Sequence, residues 1–311
     1  YNVRPAMNEA VRDPEPDCKT LPREMTWPLR HLSIAGLHWP TAGSSFHPPL
    51  IMIHGWLDNA LSFSQIAPLL AKDRDVYAID LAGHGKSGHR PPGQGYPLTD
   101  YVADLAELIE THFSDGDSEQ KADLVGHSLG GIIALFYAAT FPEQARRLAM
   151  IDSLGPLTRQ PSEVVSQLRK AIRKRLTGSG KPMVYASIEE AAKAREGGMI
   201  PLSHWAAMTL IPRNLTQVNG GYVWSTDPQL RHPSMVMMDE AQVIGCLEQV
   251  KTPTCFIRAE QGLFVNRPEL NPRMEAIPGL ETVSVPGGHH CHLEGDVAHV
   301  ANAVKDFLNV C

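Results

Sequence analysis

ADLVGHSLGGIIALFYAATF, residues 122–141, changes its period halfway along. ADLV is a short apolar run of strand character, whereas LGGIIALFYAATF repeats its apolar residues at helical spacing. GHSLG, 126–130, therefore falls on a strand-turn-helix path. A GxSxG match alone is common by chance, but on that path it describes a sharp elbow. Small residues at 126 and 130 relieve crowding while Ser128 is held exposed at the C-terminal edge of a sheet. Ser128 also starts a helix, where free N–H groups can bind a developing negative charge.

Similar runs recur on both sides. PLIMIHG (49–55), VYAIDLAG (76–83), LAMIDS (148–153), TCFIRAE (254–260) and ETVSVPG (281–287) read as buried parallel strands. ALSFSQIAPLLAK (60–72), LTDYVADLAELIETHF (98–113) and DVAHVANAVKDFL (296–308) read as helices. This alternation predicts an α/β protein with a mostly parallel central sheet and helices on both faces. Residues 29–154 and 251–311 form that core, and residues 1–28, rich in Pro and charge, an extended lead-in. Residues 155–250 break the rhythm with helix-like stretches and are expected to form an inserted helical cap. One of them, SEVVSQLRKAIRKRL (162–176), is strongly basic; it could be read as a lipid- or nucleic-acid-facing surface, but a solvated helix face is the plainer interpretation.

A chain of 311 residues can bury a sizeable core. With 43% hydrophobic and 20% charged residues it has ordinary globular composition. A net charge of -6 provides no basic field for a polyphosphate backbone, which disfavours nucleic acid as the main partner. The five cysteines, Cys18, Cys246, Cys255, Cys291 and Cys311, lack CxxC spacing. A cytoplasmic setting is the default, with no membrane span and no apolar leader core at the start. GKS at 85–87 is no phosphate-binding loop, since the Gly required five positions before Gly85 is Asp80.

Four motifs in order make the chain resemble the α/β-hydrolase fold family, from about residue 30 to 310. They are HGW (54–56), DLAGHGKSG (80–88), GHSLG (126–130) and GGHHCHLE (287–294). In that family GHSLG is the nucleophile elbow, and the helical interval fits its cap. Members that open epoxides or displace halide have Asp at the elbow, so Ser128 implies acyl transfer through an acyl-enzyme. The family's pattern of a Gly before the catalytic His and an acid five positions after it fits Gly288, His289 and Glu294. His289 is thus the implied base, with His290 in reserve, and His292, His54 and His127 are expected to be structural. The His/Cys cluster could suggest a metal, but no second ligand pattern accompanies it, so neither metal nor cofactor is expected. The resemblance implies the backbone N–H groups of Leu129 and Trp56 as the oxyanion hole, with the Trp56 ring in the acyl pocket.

The acid is displaced. A triad without its carboxylate loses about 10⁴ in rate, about 5 kcal/mol. In the commonest family arrangement this acid is an Asp in the loop after TCFIRAE, and that position here is Gly262. Two residues could replace it: Asp152, at the end of LAMIDS, or Glu260, two positions before Gly262. Neighbouring strands lie about 4.8 Å apart, so either strand tip is within reach of a histidine over Ser128. Some haloalkane dehalogenases and the pancreatic lipases resemble the Asp152 arrangement.

The expected function is a serine hydrolase of small carboxylic esters using Ser128, His289 and Asp152. Hydrolysis of a carbon–carbon bond by the same triad, or non-catalytic small-molecule binding, would fit the same fold. Oligomeric state is not encoded in any motif.

Overall fold

A computed structural model describes residues 21–309 apart from 42, 44, 46, 115–120 and 199. Residues 1–20 of the expected lead-in, with Cys18, and Cys311 at the other end lie outside the described residues. The rest of the lead-in is not free: Arg23–Pro28 is strand β1, paired antiparallel with β2 (Ser33–Trp39). Next come β3 (Leu50–Ile53), α1 (Ala67–Leu70), β4 (Val76–Ile79) and α2 (Leu98–His112). The elbow joins β5 (Ala122–His127) to α3 (Leu129–Thr140), followed by β6 (Ala145–Ile151).

The interval after β6 contains α4 (Val164–Thr177), α5 (Ile188–Glu196), α6 (His204–Leu210), β7 (Leu215–Val218), β8 (Gly221–Trp224) and α7 (Glu240–Leu247). The chain closes with β9 (Thr254–Gln261), α8 (Leu270–Ala276), β10 (Glu281–Gly288) and α9 (Val297–Leu308). The main sheet has eight strands in the order β1-β2-β4-β3-β5-β6-β9-β10. From β4 to β10 the pairings are parallel; β1 and β2 extend the sheet antiparallel.

LIMI in β3 shows why the sheet is covered on both faces. Ile51 and Ile53 point into a cluster with Leu105 and Leu108 of α2 and Ile133 of α3. Leu50 and Met52 point the other way, towards Leu70 of α1 and Val304 of α9. All four strand residues are fully buried, and each such side chain contributes about 1.5–3 kcal/mol.

Two local expectations change. The segment 60–72 is not one helix but a 3-10 turn, Ala60–Phe63, and the short α1. Pro68 has no N–H to donate and its ring obstructs the preceding turn, while the Asn59 side chain caps Leu61 N–H and starts the first piece separately. The inserted interval is also not wholly helical, because β7 and β8 form an antiparallel hairpin. Asn219-Gly220 makes its turn, with Gly220 at φ +93, where a side chain would be strained. The insert has a small core of its own, including Tyr185, Ala191, Leu202 and Leu210, which reaches Leu293 of the closing histidine segment. Its last helix behaves differently: Val243 and Leu247 of α7 pack into the main core.

Candidate active site

The elbow lies at the C-terminal tip of β5, between its neighbours β3 and β6. Three non-glycine residues with positive φ occur among the described residues: Leu57, Ser128 and Asp152, following β3, β5 and β6. Such conformations cost of order 1–3 kcal/mol each and persist where the surroundings enforce them. At the elbow the enforcement is steric. A Cβ on Gly130 would lie 1.9 Å from the Ile53 carbonyl oxygen, so α3 can pass this close to β3 only with glycine there.

Ser128 is half-buried, with φ 51 and ψ -117, and its side chain does not cap α3. Its backbone is clamped from the neighbouring strand. Ser128 N–H donates to the Ile151 carbonyl at 3.3 Å, and Ser153 Oγ donates to the Ser128 carbonyl at 2.7 Å. Ser153 thus joins the elbow to the segment that carries Asp152. Its position after Asp152 in LAMIDS was the signal available for it in the sequence.

His289 Nδ1 donates to Asp152 Oδ2 at 2.6 Å, and both residues are buried. Leu263 N–H donates to the same oxygen at 2.9 Å, while Asp152 N–H donates to the Ile257 carbonyl at 2.8 Å. The carboxylate is thus held from the turn after β9 and orients the His289 ring through Nδ1. Asp152 Oδ1 has no hydrogen-bond partner and lies over Gly262. A Cβ at 262 would fall 2.2 Å from it. Gly262 therefore makes room for the carboxylate of the adjoining strand. Glu260, by contrast, is exposed on β9.

His290 is turned away, with Nε2 donating to Asp58 Oδ2 at 3.2 Å. His127, next to Ser128, donates from Nε2 to the His289 carbonyl at 2.9 Å, and its ring lies 4.5 Å from that of His289. Burial, and then the neighbouring His292, His289 and His290, keep His127 well below the usual imidazole range, so it stays neutral. His292 pairs with Ser62 Oγ at 2.8 Å, and His54 accepts Leu81 N–H at 3.0 Å.

Trp56 and Leu57 are the central residues of a turn closed by Asp58 N–H to the Gly55 carbonyl at 3.2 Å. Leu129 is the first residue of α3, so both residues expected at the oxyanion hole sit beside the strand tips. The Trp56 ring has a role the sequence did not reveal: its Nε1–H donates to the Leu230 carbonyl at 3.0 Å, tying this loop to the insert. Glu294 likewise reaches the insert, accepting Ser203 N–H at 3.1 Å. Arg213 extends from the insert to Asp80 at 2.9 Å and Glu24 at 2.8 Å. Lys86, of the GKS segment, is bound to Glu24 at 2.7 Å.

Asp58, His127 and His290 present potential metal-ligand atoms within 4.8 Å of one another. The Asp58 carboxylate already accepts from His290 and from Arg195 Nη2 of α5 at 3.2 Å, which gives the trio a counter-charge without an ion. Burial raises the Asp58 pKa, but the charge and hydrogen bond of His290, followed by Arg195, outweigh it and hold the carboxyl well below the usual range. A depressed carboxyl stabilises the fold above its unfolded value, about pH 4, and that contribution is lost as pH falls through the lower folded value. Asp58→Asn is expected to cost about 3 kcal/mol at neutral pH by removing the buried counter-charge of Arg195, which keeps only its bond to the Ile200 carbonyl, and weakening the acceptor of His290. Denaturant titration checks this, with the difference from the parent narrowing below about pH 4.

A sequence profile of the α/β hydrolase fold matches residues 48–196. The serine hydrolase-like protein of Danio rerio is 30% identical over 297 residues, spanning 92% of this chain and 88% of that protein. Among solved structures, a hypothetical protein from Pseudomonas aeruginosa PAO1 superposes with a TM-score of 0.82 at 35% identity, over 91% of this chain and 97% of the other. The thioesterase domain from the curacin biosynthetic pathway gives 0.77 at 26% identity, over 91% and 99%.

Proposed function

Because the chain belongs to the α/β-hydrolase fold family, among its serine hydrolase-like members, we propose that it hydrolyses carboxylic esters through Ser128, His289 and Asp152. His289 Nε2 takes the Ser128 proton as Oγ attacks the acyl carbon, and the N–H groups of Trp56 and Leu129 receive the oxyanion. The same nitrogen then protonates the departing alcohol and activates the water that cleaves the acyl-enzyme. Asp152 orients His289 and stabilises its charged form. The observation that carries this function is the buried 2.6 Å contact between His289 Nδ1 and Asp152 Oδ2. Residues from 155 to the start of α7 would act as a cap over the site. Its separate small core and its ties through Trp56, Arg213 and Glu294 support that role.

The likeness to the curacin thioesterase domain favours one second substrate class, thioesters, which the same steps would cleave with a thiol leaving. The test is to treat the full chain with a serine-directed fluorophosphonate, locate the adduct by peptide mass, and then offer short p-nitrophenyl esters and an acyl thioester. An adduct on Ser128 together with ester turnover is expected. Absence of both would sink the proposal and favour a non-catalytic binder, and preferential thioester turnover would reassign the substrate.

A further inference from the structure

Helix α4 carries its apolar stripe on the outside. Val165, Leu168, Ile172 and Leu176 are spaced three and four residues apart and share one face. Val165 is 72% exposed, Ile172 41% and Leu176 81%, with Leu168 half-buried. The helix rests on the insert through Ala171, which is buried, and through Gln167, which donates to the Ser234 carbonyl at 2.7 Å. Two residues beyond Ser234, Val236 is another exposed apolar side chain.

The same helix holds Arg169, Lys170, Arg173, Lys174 and Arg175 and no acid, in a chain whose net charge is -6. Among the described residues, none of these five forms an ion pair. Helical geometry puts Arg169 and Arg173 along one border of the stripe and Arg175 along the other.

We propose that α4 is a docking surface for an anionic lipid bilayer, lying in the plane of the membrane interface. The apolar stripe would enter the headgroup boundary, while the flanking arginines and lysines bury their stems and extend their charges to lipid phosphates. At 14 residues the helix is about 21 Å long and lies along the surface rather than crossing it. A second copy of the chain would bring an identical basic helix against this one and be repelled. Nucleic acid would match the charge but would leave the stripe in water.

Vesicle flotation of the full chain tests this with phosphatidylcholine alone and with phosphatidylcholine mixed with phosphatidylglycerol. The expected result is recovery with the anionic vesicles only, reversed by high salt. Each Lys or Arg near an anionic surface contributes about fivefold to binding, so Arg169→Glu with Arg173→Glu should weaken it at least about 25-fold. Val165→Ser with Leu176→Ser should weaken it about tenfold or more. Circular dichroism verifies that both variants are folded. Recovery that is equal on both vesicles, absent, or indifferent to both variants would overturn the proposal. So would retention of a DNA duplex in place of vesicles, or a dimer in sedimentation that Val165→Ser with Leu176→Ser dissociates.

Discussion

Ser128→Ala is expected to lower kcat for short p-nitrophenyl esters about 10⁶-fold and to abolish fluorophosphonate labelling. The magnitude follows from the way a triad works as one unit. Without Oγ there is no acyl-enzyme, and what remains is the catalysis of the oxyanion donors acting on water, about 10³-fold over solution. The fold should be unaffected, because Ser128 Oγ does not cap α3 and the clamp from Ser153 falls on the Ser128 carbonyl. KM should stay close to the parent value, and circular dichroism should be unchanged. A labelled Ser128→Ala protein would place the nucleophile elsewhere.

Asp152→Asn is the second large effect, with an expected fall of about 10⁴ in kcat. An amide at 152 would present an N–H or a weaker acceptor to His289 Nδ1, promoting the wrong tautomer and removing the charge opposite the imidazolium. Glu260→Gln is the matched control. Its carboxylate is exposed on β9, so turnover should stay within about twofold of the parent, as for a surface substitution. Measuring both variants under the same conditions separates loss of the acid from a general effect of removing negative charge.

The elbow was readable in the sequence because the change from strand to helical period and the two flanking glycines act locally. The carboxylate that meets His289 was readable only as a choice between Asp152 and Glu260. Asp152 and His289 are 137 residues apart, and what brings them together is strand order: β9 lies between β6, with Leu148 paired to Thr254, and β10, which ends at Gly288 just before His289. No pattern within LAMIDS or TCFIRAE states that adjacency. The room left by Gly262 for Asp152 is likewise a property of two strand tips.

The edge strand β1 is hidden in the sequence for a different reason. REMTWP contains charge and Pro28, as an edge strand tolerates, and so it looked like irregular lead-in. The hairpin in the insert did announce itself through Asn219-Gly220, but its flanking strands are only four residues each and lack strict alternation. Contacts such as Arg195 to Asp58 and Trp56 to Leu230 join distant segments through single side chains, which periodicity cannot register.

The proposed role of Asp152 can be tested by moving its carboxylate to residue 262. Gly262→Asp alone should be impaired, since its Cβ would crowd Asp152 Oδ1 at 2.2 Å. Asp152→Gly combined with Gly262→Asp removes that clash and offers His289 a carboxylate from β9. The measurement is kcat/KM of this double variant on one p-nitrophenyl ester, beside Asp152→Asn and Gly262→Asp. Recovery of about 10²-fold or more over Asp152→Asn is the predicted result, out of the roughly 10⁴ that the acid supplies. A double variant as inactive as Asp152→Asn, beside a fully active Gly262→Asp, would contradict it.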